Sequence, residues 1–384
     1  MTAYGADRIG GHLGLIAGRR LGLVTNHTGL DAGFTPTADI LRAHADLACI
    51  FSPEHGLSGT AQAGDAVRDS TDPRTGLPVH SLYGDARKPD ARILSGLDAV
   101  VFDIQDVGLR FYTYTSTLSF VMEACAEAGR PCIVLDRPNP LGGLAVEGLR
   151  LDPAFSSFVG RYPIPARYGL TIGELALYLN STHGIGCLLE VAPLSGWHRG
   201  MYWPDTGLRW VPPSPNLPTF ESVPAYAAAC PFEGTNVSEG RGTTRPFETI
   251  GAPWIDGERL AKEMNGMRFP GVVFRPVSFV PAFSKHAGIP CGGVQMNIDD
   301  VRSAPLFEVG IALLYTIREL YPEYFKCLPP WSPGSRTPLD LLTGNDMASR
   351  GVPMARLFER ARRDSEEFRK ARAVFLLYPE GPGA

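Results

Sequence analysis

Short runs of almost entirely apolar residues alternate with helical patterns through the first half of this chain of 384 residues. The runs predict strands at residues 21–25, 47–52, 99–104 and 132–135. The stretches between them, such as TYTSTLSFVMEACAEAG after the third run, place apolar residues at helical spacing. Strands without a polar face are buried on both sides, which a parallel sheet covered by helices provides. We therefore predict an α/β fold built on a Rossmann-like open parallel sheet.

The length and the distribution of proline predict two domains. A chain of this length exceeds one ordinary hydrophobic core. Prolines are densest in WVPPSPNLPTF, residues 210–220, where they disfavour a helix or an interior strand. We place the domain boundary in this segment. The prediction is a Rossmann-like domain over residues 1–215, followed by a smaller α/β domain over residues 216–384 that mixes strands with helices.

Charge and cysteine content exclude several classes of protein. The formal net charge of -4 argues against a partner bound through nucleic-acid phosphates. The seven cysteines are odd in number, lack C-x-x-C spacing and lie partly in apolar runs, which predicts buried thiols rather than disulfides or a zinc site. No basic and apolar leader opens the sequence and no run of eighteen apolar residues occurs, so we expect no membrane span and a cytoplasmic location.

Polar side chains follow each of the four predicted strands. In an open parallel sheet, ligands bind outside the carboxyl ends of the strands, so this edge is the predicted site. The alternative is that these residues only cap helices and solvate loops. The residues concerned are Asn26 and His27, Glu54 and His55, Asp103, Gln105 and Asp106, and Asp136, Arg137 and Asn139.

Individual acids on this edge have both a functional and a structural interpretation. Glu54 lies in Ser-Pro-Glu-His-Gly, where the proline and the glycine favour a rigidly presented carboxyl that suits a general acid. The alternative is an ordinary loop glutamate. Asp103 and Asp106 are a substrate clamp or a second carboxylate, or else caps for the following helix. For Arg137 we predict a simple ion pair with Asp136.

A second candidate segment is GTNVSEGRGTT, residues 234–244. It carries Glu239 and Arg241 between glycines, and an arginine in such a loop can bind a carboxylate through two parallel hydrogen bonds. The segment matches neither the P-loop nor the dinucleotide fingerprint, and its structural alternative is a turn between domains. A metal site of His27, His55 and Asp103 is less favoured than ordinary polar side chains, so we expect no metal and no cofactor.

Five long motifs, in order, resemble the NamZ-like exo-β-N-acetylmuramidases. The motifs are LGLVTNHTGLD, IFSPEHGLSGTAQAGD, VFDIQDVGLRFYTYTSTL, VLDRPNPLGG and FEGTNVSEGRGTTRPFETIGAPW, and the resemblance extends from about residue 21 to FLLYPE. It implies a Rossmann-like domain, a smaller C-terminal domain and an active site in the cleft between them. It also implies release of terminal N-acetylmuramic acid (MurNAc) from MurNAc-GlcNAc fragments during cell-wall turnover.

The resemblance also implies roles for particular residues. Glu54 corresponds to the family's proposed catalytic glutamate, which we interpret as a general acid. Glycoside hydrolysis needs a second group, which is Asp103, Asp106, Glu239 or the substrate's own acetamido group. MurNAc bears a lactyl carboxylate, for which Arg241 is the first predicted partner and Arg110 the second. The predicted substrate-binding residues are Asn26, His27, His55, Gln105, Arg110, Tyr112, Asp136, Asn139, Ser238, Arg241 and Thr243.

Two other functions remain open at this point. A non-catalytic sugar- or nucleotide-binding protein can use the same scaffold, because a fold alone does not fix a function. An esterase or amidase acting on the same fragments is disfavoured, since the sequence contains no G-x-S-x-G nucleophile motif.

Overall fold

A seven-stranded, mostly parallel sheet forms the first part of the chain, which confirms the predicted α/β fold. The computed structural model describes residues 2–62, 64–84 and 86–382. The strand order is β3-β4-β2-β1-β5-β6-β7, and only the short edge strand β3 runs antiparallel to its neighbour. The strands are β1 (Arg20–Thr25), β2 (Asp46–Ser52), β3 (Ser70–Thr71), β4 (Pro78–Ser81), β5 (Ala99–Asp103), β6 (Cys132–Leu135) and β7 (Leu189–Ala192).

The central strands β1, β5 and β6 are apolar because both of their faces are covered. Leu23 pairs with Val101, which pairs with Ile133, and all three side chains are completely buried. The chain moves from β1 to β2 on one side and to β5 on the other, so the strand order reverses between β1 and β5. Such a reversal opens a crevice at the carboxyl ends of the strands.

Helices cover both faces of this sheet. A Thr171–Glu174 capping box begins the fourth helix, since each side chain bonds the other residue's backbone N–H. The helix predicted to follow the third strand is α3, and its buried face includes Leu118 and Met122. The helices of the first part are α1 (Thr37–Arg42), α2 (Ala91–Ser95), α3 (Tyr114–Glu127), α4 (Ile172–Thr182) and α5 (Trp203–Thr206).

The second part contains a three-stranded antiparallel sheet and five helices. The sheet order is β8-β10-β9. Residues 210–220 contain neither helix nor strand, as their prolines predict. The elements are α6 (Ser222–Ala229), β8 (Thr249–Ala252), α7 (Gly257–Gly266), β9 (Val272–Phe279), β10 (Cys291–Ile298), α8 (Leu306–Leu320), α9 (Pro338–Thr343) and α10 (Met354–Arg372).

The two parts pack closely against each other. The rings of Phe111 and Tyr226 meet edge to face with their centroids 5.2 Å apart. After α10 the chain returns to the first part, where the Tyr378 hydroxyl donates a 2.5 Å hydrogen bond to Asp136. Six of the seven cysteine thiols are buried, as predicted, whereas Cys327 is exposed. Within the described ranges, no helix is long and apolar enough to cross a membrane.

Candidate active site

A cavity of about 760 Å³ separates the carboxyl end of β2 from the glycine-rich segment of the second part. A smaller adjoining cavity of about 80 Å³ shares part of its wall, including Glu54 and Thr113. Residues from both parts of the chain line these two cavities. The ionisable residues lining the larger cavity are Glu54, Tyr83, Arg87, Glu233, Glu239, Arg241 and Lys285.

Glu54 is fixed on the sheet side of this cavity. It follows β2 and Pro53, and the next residue, His55, has a φ of 71° that side chains rarely adopt. A contact of 2.7 Å between His55 Nδ1 and the carbonyl of Ala61 holds that turn. The Gly64 N–H donates to Glu54 Oε1 at 3.1 Å, and the Thr113 hydroxyl donates to Oε2 at 2.6 Å. The carboxyl is therefore presented in one orientation, as the rigid motif predicts.

The phenol of Tyr83 lies beside Glu54. Burial raises the pKa of Tyr83 above its usual value, and the charge of Glu54 raises it further. Tyr83 therefore stays protonated through the ordinary pH range and can act as a hydrogen-bond donor next to the carboxyl. The arrangement places a carboxyl, a hydroxyl and a phenol together on one wall of the cavity.

The opposite wall is an alternating cluster of two glutamates and two cations. Lys285 Nζ lies 2.8 Å from Glu239 Oε2, and Arg241 lies 2.9 Å from Glu233 and 3.5 Å from Glu239. Burial raises the pKa of the Glu233 carboxyl, while the charge of Arg241 opposes that shift. The cluster thus brings Glu239 and Arg241 to the cavity that contains Glu54.

The glycine-rich segment allows this wall to form. Gly242 has a φ of 80°, and a Cβ there would lie 2.5 Å from the carbonyl oxygen of Phe283. Only glycine therefore lets residues 240–243 approach the loop between β9 and β10. That loop carries Lys285, whose ammonium also donates to the carbonyls of Phe232 and Val237 at 2.7 and 3.1 Å.

Asp103 lies in a buried ion pair away from the cavity. Its oxygens accept hydrogen bonds from Arg137 Nε at 2.5 Å and Nη2 at 2.9 Å, and from the Thr37 hydroxyl. The predicted pairing of Arg137 with Asp136 is wrong, because the guanidinium turns to Asp103 and only the Arg137 backbone N–H bonds Asp136, at 2.9 Å. The side chain of Asp103 is completely buried, so this pair braces the sheet edge.

Asp106 and Gln105 are also enclosed. Asp106 Oδ2 accepts from the Gly108 N–H at 2.6 Å and from the Tyr168 hydroxyl. Burial raises the pKa of Asp106 to about 6. Gln105 Nε2 donates to the carbonyl of Pro138 at 3.0 Å. Neither side chain lines the cavity that contains Glu54.

Three further predicted binding residues support the backbone instead. Arg110 donates to the carbonyls of Leu149, Ile164 and Leu342 at 2.8, 2.9 and 3.0 Å. Burial lowers the pKa of Arg110 to about 10. Asp136 accepts from the Thr171 hydroxyl at 2.8 Å, and Asn139 donates to the carbonyl of Leu170 at 2.9 Å. The structure therefore does not bring Arg110, Asp136 or Asn139 to the cavity.

Asn26, His27 and His55 border a different cavity, of about 480 Å³, on the other side of the Glu54 turn. Asn26 accepts from the Thr28 N–H at 2.9 Å, and His27 Nε2 lies 2.6 Å from the carbonyl oxygen of Pro212. His55 also lines the small cavity beside Glu54. In the part of the chain that the structure describes, no three His, Cys, Asp or Glu side chains are grouped to hold a metal ion.

The last three predicted binding residues hold local structure. Ser238 Oγ accepts from the Gly240 N–H at 3.2 Å, and the Thr243 hydroxyl donates to the Gly240 carbonyl at 2.6 Å. These bonds shape the turn that carries Glu239 and Arg241. The Tyr112 hydroxyl donates to the carbonyl of Pro213 at 2.9 Å, and its ring lines the small cavity.

Sequence reasoning missed five residues of the site. Glu233 and Thr113 lie inside quoted motifs, FEGTNVSEGRG and FYTYTSTL, so their motif membership was an available signal. Tyr83, Arg87 and Lys285 lie in loops without any pattern, and only the fold brings them to Glu54 or Glu239.

Comparisons with known proteins agree with this architecture. Residues 21–221 match the family model described as exo-β-N-acetylmuramidase NamZ, N-terminal, and residues 224–378 match the corresponding C-terminal model. A peptidoglycan β-N-acetylmuramidase NamZ of Bacillus subtilis is 45% identical over 369 residues, which cover 94% of this chain and 88% of the relative.

Two crystal structures of DUF1343 family proteins from Bacteroides fragilis share the fold. One has a TM-score of 0.90 and 35% identity, covering 98% of this chain and 99% of the other. The second has a TM-score of 0.77 and 32% identity, covering 99% and 100%. With both family models matched in order over most of its length, the chain belongs to the NamZ family of exo-β-N-acetylmuramidases.

Proposed function

We propose that this protein is an exo-acting glycoside hydrolase that releases MurNAc from the non-reducing end of peptidoglycan fragments such as MurNAc-GlcNAc. The observation that carries the proposal is Glu54, a carboxyl held by two hydrogen bonds on the wall of a cavity of about 760 Å³. A cavity of this size is in the range of small-ligand sites. Membership of the NamZ family supports the same reaction.

Glu54 acts as the general acid that protonates the oxygen of the leaving sugar. It is 7% exposed and, among the residues that the structure describes, is the only one of the three predicted catalytic acids on the sheet side that lines the cavity. Glycosidases need such a positioned proton donor because the leaving alkoxide is otherwise a poor leaving group. The neighbouring hydroxyl of Thr113 keeps one carboxyl oxygen in place, so the other faces a fixed direction.

Glu239 takes the second role, in preference to Asp103 and Asp106. It lines the cavity across from Glu54, whereas the other two acids are enclosed in networks that support the sheet edge. Lys285 and Arg241 orient its two oxygens. In this position Glu239 either activates a water molecule or holds the acetamido group of the substrate against the anomeric carbon.

Digestion of two isomeric disaccharides tests this function. The protein should split MurNAc-GlcNAc into its two sugars and leave GlcNAc-MurNAc intact, with products followed by mass spectrometry. A non-catalytic sugar-binding protein, the main rival, would release nothing from either compound. The cytoplasmic location predicted from the sequence is part of the proposal, and cell fractionation against a cytosolic marker enzyme tests it.

A further inference from the structure

Three cations line the cavity around Glu54, and two of them are already engaged. Arg241 contacts Glu233 and Glu239, and Lys285 contacts Glu239. The third cation is Arg87, which is exposed. Within residues 2–62, 64–84 and 86–382, no carboxylate lies within 4.0 Å of its guanidinium. The positive charge of Arg87 is therefore the one in this cavity that the described residues leave uncompensated.

Arg87 is nevertheless held in place by an aromatic ring. Its guanidinium carbon lies 4.6 Å from the centroid of the Phe158 ring. A guanidinium stacked on an aromatic face keeps its N–H groups at the edge free for a planar anion. Phe158 is itself anchored, since its carbonyl accepts a 2.7 Å hydrogen bond from Ser116 of α3 and its ring stacks on Phe120.

Tyr83 lies near both the Phe158 ring, on which Arg87 stacks, and the carboxyl of Glu54. Its ring centroid lies 5.7 Å from that of Phe158, and its side chain lines the same cavity as Glu54. The charges of Glu54 and Arg87 act on the pKa of the Tyr83 phenol in opposite directions, as expected for a group that lies near both. An anion bound by Arg87 would therefore lie in the same cavity as the bond that Glu54 protonates.

We propose that Arg87 binds the lactyl carboxylate of the terminal MurNAc and so distinguishes MurNAc from GlcNAc. The inference rests on the proposed function and names the specificity residue of the same site. The planar fork of an arginine matches a carboxylate through two parallel hydrogen bonds. Arg241 is less suited, because it would have to leave two glutamates, and Arg110 is enclosed by three backbone carbonyls.

The test uses three chromogenic substrates: a β-MurNAc glycoside, the same compound with its lactyl carboxyl converted to the amide, and the β-GlcNAc glycoside. The parent should prefer the carboxylate compound. In Arg87→Gln, kcat/KM for that compound should fall about tenfold to a hundredfold, mainly through KM, with little change for the amide and GlcNAc compounds. The kcat/KM of Arg87→Lys for the carboxylate compound should lie between those of the parent and Arg87→Gln, since lysine keeps the charge and loses the planar fork.

Arg92→Gln is the matched control, because Arg92 is an exposed arginine in α2 that does not line the cavity. It should behave as the parent does. An Arg87→Gln variant that kept the parental preference for carboxylate over amide would overturn the inference. Calorimetric binding of free MurNAc and GlcNAc provides a readout without turnover. If the parent hydrolysed neither glycoside, the proposed function would fail, while binding of MurNAc to the two proteins would still decide the role of Arg87.

Discussion

The hydroxyl of Thr113 donates a 2.6 Å hydrogen bond to Oε2 of Glu54, although 59 residues separate the two in the chain. Glu54 follows β2, and Thr113 immediately precedes α3. The start of a helix packed on the sheet therefore fixes the orientation of the carboxyl. A carboxyl presented in this way can protonate an oxygen only from one direction, which is what a stereochemically defined glycosidase requires.

Thr113→Val should lower kcat about tenfold or more while leaving the melting temperature close to that of the parent. The substitution keeps the shape of the side chain but removes a hydrogen bond to a carboxylate, and such bonds contribute about 1.5–3 kcal/mol. Thr113→Ser retains the hydroxyl and should retain most of the activity. Steady-state kinetics on a β-MurNAc glycoside checks both variants. Equal rates for the valine variant and the parent would show that Thr113 does not position Glu54.

Glu239→Gln should reduce kcat by at least about tenfold, because it removes the charge that the second catalytic role requires. Glu248→Gln is the control. Glu248 is similarly buried and pairs with Arg245 at 3.2 Å, but it does not line the cavity. Rates and thermal unfolding should be measured together for both variants. A similar loss of activity in Glu239→Gln and Glu248→Gln would mean that the effect comes from disturbing the segment that carries both residues and not from a catalytic role of Glu239.

Asp106→Asn should keep its activity and change how stability depends on pH. The Asp106 carboxyl has a pKa of about 6 in the folded protein, against 3.8 when unperturbed. Between these values the folded state holds a proton that the unfolded chain has lost. The free energy of unfolding of the parent should therefore fall, relative to the variant, by up to about 3 kcal/mol as pH rises from about 4 to about 6.

Urea unfolding of both proteins at pH values of about 4.5, 5.5, 6.5 and 7.5 checks this difference. Above a pH of about 7 the free energies of unfolding of the parent and the variant should change with pH in the same way. If the free energies of unfolding of the two proteins changed in parallel over the whole pH range, the pKa of Asp106 would not be raised. If Asp106→Asn lost its activity, Asp106 would again be a candidate catalytic acid.

Arg137→Gln should lower the free energy of unfolding by about 3–5 kcal/mol, since it leaves the charge of Asp103 buried without its partner. The control is Arg20→Gln. Arg20 pairs with Asp46 at the surface, where the two side chains are 55% and 60% exposed, and losing such a pair costs at most about 1 kcal/mol. Chemical denaturation measures both. A similarly small effect at the two sites would show that the Asp103–Arg137 pair does not stabilise the sheet edge.

The sheet could be predicted from the sequence because its central strands are apolar on both faces. β6 was predicted at its observed bounds, and β1 and β5 to within one residue at an end. The site was harder to predict. The polar residues after β1, β5 and β6 do meet at one edge, but there Asp103 pairs with Arg137 and Asp136 bonds Thr171, so their polar groups are engaged within the fold.

Glu54 could be proposed as a catalytic residue because its short Ser-Pro-Glu-His-Gly motif resembles that of the family. Lys285 and Arg87 could not be identified, since each reaches the cavity from a loop whose sequence has no periodicity or motif. Lys285 meets Glu239 across 46 residues, a contact that depends on the close approach of Gly242 to the loop after β9. Contacts of this kind are set by tertiary packing and leave no local pattern in the chain.

In the proposed reaction, Glu54 protonates the leaving sugar of a MurNAc glycoside. The most direct test compares the parent with Glu54→Gln on a chromogenic β-MurNAc glycoside and on its β-GlcNAc counterpart. We predict release from the MurNAc compound only, and its loss in the variant by about 10²-fold or more. The variant should unfold at a temperature close to that of the parent. Full activity in Glu54→Gln would show that Glu54 is not the general acid, and no release by the parent would show that the protein is not a muramidase.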